Sequence, residues 1–156
     1  KVDGTLWICG EGNYTNSCKT LIKDHNLEEK VIMMGMLLPE ELKKMTTRAS
    51  IGINLVEPIG LNQIYSLANK FFDYIHAGIP QITMDFPEYR KINDEFEVAV
   101  LIEKPEVEII ADALNNLIRN MVLYQRLEFN CHRASTELNW QKESEKLNQF
   151  FPKIKN

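Results

Sequence analysis

Five short, nearly unbroken apolar runs, each separated from the next by a stretch with helical spacing, constrain this chain more than any other feature. The runs cover residues 6–9, 31–34, 51–56, 81–84 and 98–102. A strand with one wet face alternates apolar and polar side chains, whereas a continuous run fits a strand covered on both faces, as in a parallel sheet. Parallel strands need a crossover between them, and the intervening helical patterns supply it, with right-handed connections expected. The predicted fold is therefore α/β: a doubly wound, mainly parallel five-stranded sheet with helices on both faces.

The helical stretches carry their own signals. The first begins near Asn16 or Ser17 and is expected to turn Cys18, Leu21 and Ile22 inward. The second follows Pro39, a residue suited to a first helical turn, with Leu42 and Met45 three apart. The third runs from Asn69 to Ala77, with Asn69 as its expected cap, and stops at Gly78, a natural C-cap before Ile79-Pro80. A short fourth covers 88–93. Beyond Pro105, the spacing of Val107, Ile110, Ala111, Leu114, Leu117 and Ile118 predicts an amphipathic helix. Two further patterns, 122–136 and 140–151, precede Pro152, which is expected to close a C-terminal helix within 137–156.

Composition narrows the function. A chain of 156 residues fits one domain, and folding at this size buries roughly 70% of the extended surface. Acids and bases interleave to a net charge of −4, with no basic block, so nucleic acid is not an expected partner. The longest nearly apolar stretch, 31–38, is far short of the roughly 20 residues of a membrane span. Cys9, Cys18 and Cys131 show no C-x-x-C pair, and His25, His76 and His132 lie far apart, so no metal site is expected. Cys9 is read as a small buried hydrophobe and the compartment as the reducing cytoplasm. The first residue is Lys1, two residues before a turn and a strand, and the chain is read as part of something longer.

One segment breaks the rhythm. Residues 56–68 join the third strand to the next helix at the carboxyl edge of the sheet, where open parallel sheets bind ligands. Three pieces belong to that edge. Gly10-Glu11-Gly12 ends the first strand, but no third glycine completes a dinucleotide fingerprint, so a nicotinamide oxidoreductase is weakly supported. Glu57-Pro58-Ile59-Gly60-Leu61 offers a carboxylate for hydroxyl groups and a glycine that lets backbone N–H groups approach an anion. Asn69-Lys70-Phe71-Phe72-Asp73 opens a helix whose N-terminus favours phosphate, with Lys70 and Asp73 three apart on one face. Lys70 would add a point charge, and the two oxygens of Asp73 suit a vicinal diol. By themselves these residues fit equally a local Lys70–Asp73 surface pair worth a few tenths of a kcal/mol.

In order, the chain carries Gly-x-Gly, Val31-x-x-x-Gly35, Glu57-Pro-x-Gly60 and Ala77-Gly78-x-Pro80. It thereby resembles the C-terminal, donor-binding half of GT-B glycosyltransferases, nearest to the retaining, glycogen-synthase-like group called family 4. The string 69–80 is similar to the bacterial form of the family's most specific motif, Asn/Ser-Lys-x-x-Glu-Tyr-x-x-x-Gly-x-Pro, and Trp140 also fits. The resemblance implies a Rossmann-like domain and a nucleotide-sugar as substrate, with neither metal nor cofactor. Asp73 falls where the family binds the donor ribose; Glu57, Gly60 and Leu61 where carboxylate and backbone amides hold sugar and diphosphate. Asn69 and Lys70 lie near the diphosphate, Gly35 and Met36 beside the base, and Gly10 and Gly12 in the first strand's turn.

The implied activity is transfer of a sugar to a glycan or lipid-linked acceptor, in bacterial polysaccharide biosynthesis, in the cytoplasm or at the periphery of the inner membrane. Acceptor and catalytic residues are expected in an N-terminal half upstream of Lys1, so no catalytic residue is named and this part alone is expected to be inactive. A non-catalytic interaction module and the donor half of a GT-B-like epimerase are the alternatives. Two departures stand out: Asp73 is one methylene shorter than the family's Glu, and the fifteen residues between Glu57 and Asp73 exceed the family's spacing. The family's first strand of this half is also expected upstream. Removing it from the order 3-2-1-4-5-6 leaves a gap, which is expected to close to 2-1-3-4-5, because an unpaired buried edge is costly.

Overall fold

A computed structural model describes residues 2–151, and these form two compact units that divide between Met45 and Thr46. In the first, strand β1 (Leu6–Cys9) leads through helix α1 (Thr15–Asp24) to strand β2 (Val31–Gly35), which pairs with β1 in parallel. Helix α2 (Pro39–Thr46) follows with Pro39 in its first turn, and Glu41 accepts the Leu38 N–H at 3.1 Å. No described side chain of this unit is buried. Leu21, expected to point inward, is exposed, because Cys18 and Ile22, four apart, already form the inner stripe of α1. Cys9, expected to be buried, is also exposed, at the point where the register of β1 against β2 slips.

The second unit is built on strands β3 (Gly52–Asn54), β4 (Gln81–Met84) and β5 (Ala99–Ile102), parallel and in that order. Between them come the single-turn helix α3 (Leu61–Ile64), helix α4 (Asn69–Ala77) and helix α5 (Pro87–Phe96). Helices α6 (Val107–Arg119), α7 (Met121–Glu137) and α8 (Trp140–Phe150) complete it. Pro152, expected to close α8, lies outside the described residues.

Central β4 is wholly buried, and Ile82 and Met84 join Phe71, Ile75, Tyr89, Val98 and Leu117 in the core. Helix α7 seals α4, α5 and α6 with a stripe of Leu127, Asn130, Cys131 and Ala134, whose spacing of three and four keeps them on one face. Burial pushes the Cys131 thiol up to about 12, with the negative charge of Glu128 adding to the effect. In α6 only Ala113 and Leu117 are buried, while Val107 and Ile118 stay exposed at the margins of its apolar stripe.

The expected mixed α/β architecture with parallel strands is present, but the five strands do not close into one sheet. They divide into β1-β2 and β3-β4-β5. Each sheet keeps the order that the doubly wound pattern assigns to its own side of the switch point.

Candidate functional site

Within the second unit the carboxyl edge is organised around α4. Its boundaries are those the sequence predicts, and Gly78 ends it in the left-handed conformation (φ 73°), with its N–H on the Ile75 carbonyl. A Cβ there would strike the His132 ring. Three side chains tie α4 to its surroundings. The Tyr74 hydroxyl donates to the Ile53 carbonyl at 3.3 Å, Gln81 Nε2 donates to the Phe71 carbonyl at 3.0 Å, and the Tyr89 hydroxyl accepts the Ala68 N–H at 3.0 Å. Gly52 makes the first of these possible, because a Cβ on it would strike the Tyr74 ring. None of these supports belongs to the site residues named from the sequence. Their only sequence signal is Tyr74, inside the helix motif, and a glycine at the start of a strand.

The start of α4 differs from the expectation in one respect. Ala68, in extended conformation, is the N-cap, and Asn69 is the first helical residue, so Asn69 does not cap the helix. No side chain among the described residues caps this end, which leaves first-turn N–H groups open to an anion. Lys70 and Asp73 lie exposed on the same face. Among the described residues they form no ion pair with each other or with any other group, so the surface pair is not formed. Glu57 is exposed and likewise unpaired among the described residues.

The long loop before α4 is not featureless. Gly60 is the N-cap of α3 in an extended conformation, its carbonyl accepting from Gln63 and Ile64 at 3.0 and 3.2 Å. That extra turn accounts for part of the length between Glu57 and Asp73. Ile59 and Leu61, on either side of Gly60, are 79% and 73% exposed. At the root of the loop, Asn54 is fully buried. Its Nδ2 donates to Thr83 Oγ1 at 2.9 Å, while its Oδ1 finds no partner among the described residues.

In the first unit the carboxyl edge brings together the glycines expected there. Gly10 (φ 120°) donates to the carbonyl of Gly35 (φ 67°) at 2.7 Å, which joins the ends of β1 and β2. The Gly12 N–H is taken by Thr15 Oγ1 at 2.9 Å, so this glycine serves the turn into α1. Met36 follows Gly35 and is 72% exposed. No group of three or more His, Cys, Asp or Glu that could hold a metal ion occurs among the described residues. No described helix is long and apolar enough to cross a membrane.

The family profile described as Glycosyl transferases group 1 matches residues 2–131. The chain belongs to this family. Several solved structures share the fold of this group 1 chain. Sucrose-phosphate synthase from Thermosynechococcus elongatus superposes with a TM-score of 0.77 at 16% identity, over 97% of this chain and 38% of that one. Anabaena HepE in complex with UDP and glucose gives 0.79 at 11% identity, over 96% and 40%. WaaG, a glycosyltransferase involved in lipopolysaccharide biosynthesis, gives 0.66 at 13% identity, over 96% and 38%. The chain thus spans about two fifths of the length of these proteins. Among curated proteins no relative matches.

Proposed function

We propose that this group 1 chain forms the donor site of a glycosyltransferase and binds a nucleotide-sugar. The observation that carries the proposal is α4: a nine-residue helix whose N-terminus has no side-chain cap among the described residues, with a lysine and a carboxylate on one exposed face that are unpaired among them. The donor diphosphate would lie against the first-turn N–H groups of Asn69 and Lys70, with the Lys70 ammonium adding charge. Asp73 would accept hydrogen bonds from the ribose hydroxyls, and Glu57 from the sugar, next to the backbone amides of Gly60 and Leu61. Support also comes from HepE, a structural neighbour solved with UDP and with UDP-glucose.

In this proposal the transfer is retaining and needs no metal ion, because positioned N–H groups and Lys70 stabilise the departing nucleotide diphosphate. The acceptor is a glycan or a lipid-linked glycan, and the work is done in the cytoplasm or at the inner face of a membrane. The acceptor side belongs to the rest of a longer enzyme, so the chain alone binds donor without transferring it. Thermal shift with UDP-, GDP- and ADP-sugars tests the binding: one of these series should raise the melting temperature with concentration. Calorimetry on Asp73→Ala should show roughly ten- to hundredfold weaker donor binding, as expected for losing a charged acceptor. Unmoved melting in all three series, or unchanged affinity in the variant, would overturn the assignment.

A further inference from the structure

Tyr89, on α5, is 1% exposed, and its ring packs on Phe71 of α4 and on Phe86, with centroids 4.9 and 6.4 Å away. That packing fixes the direction of the phenol. Its oxygen ends at the start of α4, where it accepts the Ala68 N–H at 3.0 Å. The hydroxyl hydrogen has no acceptor among the described residues. Buried polar groups are nearly always satisfied, and a donor without an acceptor costs more than a typical hydrogen bond returns. An unused O–H in this position therefore calls for an explanation.

The neighbouring N–H groups are divided in a definite way. Ala68 gives its N–H to Tyr89, and Phe71 gives its own to the Ala68 carbonyl at 3.0 Å. The N–H groups of Asn69 and Lys70 have no acceptor among the described residues. One O–H and two N–H donors thus stand unused at the same end of one helix. A phosphate group answers all three, because it brings several acceptor oxygens and a charge that a helix N-terminus favours. An oxygen that accepts from Ala68 must direct its own hydrogen elsewhere, so holding the cap and donating to an anion do not compete.

We propose that Tyr89 is a further binding residue of the diphosphate subsite. The Ala68 N–H holds its oxygen, and its hydrogen is donated to a phosphate oxygen lying on the Asn69 and Lys70 N–H groups. The inference rests on the donor-site reading and adds to it a buried group from a different helix. A hydroxyl donating to phosphate makes a charge-assisted bond, stronger than one between neutral groups. The bond to Ala68 also ties the end of the 56–68 loop to α5. The loop that carries Glu57 and the helix that carries Asp73 therefore meet at a fixed point.

Calorimetry with UDP, GDP and ADP, and with the matching nucleosides, tests this. Tyr89→Phe keeps the ring on Phe71 and Phe86 and removes only the hydroxyl. It should weaken the diphosphate that binds the parent roughly tenfold, as expected for a lost charge-assisted bond, and leave the nucleoside's affinity unchanged. A hydroxyl with a structural role alone would lower the melting temperature without separating the two ligands. Ala68→Pro is the second variant, because φ of −76° suits proline and the change removes the N–H that orients the hydroxyl. It should weaken the diphosphate roughly threefold, and an unchanged affinity would overturn the proposal even where the phenylalanine variant fails to fold. If none of the three diphosphates binds the parent, the donor-site reading falls and this inference with it. Binding that Tyr89→Phe leaves unchanged, or an equal loss for the nucleoside, overturns this inference alone.

Discussion

The two units follow the same strand–helix–strand plan, yet they solve the burial problem differently. Every buried core residue lies between Phe71 and Ala134, in the second unit, whereas the first has none among its described residues. A two-stranded sheet with one crossover helix has too little inward surface to enclose a side chain completely. The three-stranded sheet has β4 at its centre and α7 laid over three other helices, so both can be sealed. The comparison teaches that the shared α/β pattern does not set stability. The number of layers over each element does.

The contrast is open to breakage at three points. The largest effect is expected from Phe71→Ala, which empties a fully buried site and should cost about 3–5 kcal/mol in urea unfolding. The matching truncation in the first unit, Ile8→Ala, removes a half-buried side chain and should cost roughly 1 kcal/mol. Equal losses would mean that the units are sealed equally well.

Next comes pH. Burial raises the folded-state pKa of Cys131 from 9.0 to about 12, so between these values the folded chain holds a proton that the unfolded chain releases. The resulting stability is fully present below pH 9 and is lost as pH rises toward 12, at about 1.4 kcal/mol per pH unit. Urea midpoints at pH 8 and 10 should diverge more in the parent than in Cys131→Ala. Exposed Cys9 should meanwhile react with a thiol reagent at native pH while Cys131 stays protected.

The smallest contrast uses two glycines with nearly the same backbone. Gly78 and Gly35 have φ of 73° and 67°, so alanine is strained at both by about 1 kcal/mol. At Gly78 the new methyl also meets the His132 ring, whereas at Gly35 the nearest atom, Glu11 Oε1, is 3.7 Å away. Gly78→Ala should therefore lower the thermal midpoint more than Gly35→Ala does.

Much of this is legible in the amino-acid sequence. The limits of α4 follow from local rules, because Gly78 relieves the C-terminus and Pro80 forbids continuation. That Lys70 and Asp73 share a face follows from helical spacing alone. Asn69 shows where local reading stops. Its type suits a cap, but the cap position went to Ala68, whose N–H is claimed by Tyr89 from twenty-one residues away. Leu21 and Cys9 show the same limit for burial, since an apolar run says that a residue suits an interior and not that one is there.

The amino-acid order by itself determined the succession of strands and helices, the family motifs and the chemistry on the exposed face of α4. Those depend on interactions within a few residues of the backbone. Tertiary structure alone decided that the five strands split into sheets of two and three, that Tyr74, Gln81 and Tyr89 brace α4, and that the interior is confined to the second unit. These outcomes turn on which surfaces meet across tens of residues, and short-range periodicity carries no information about the partner on the far side.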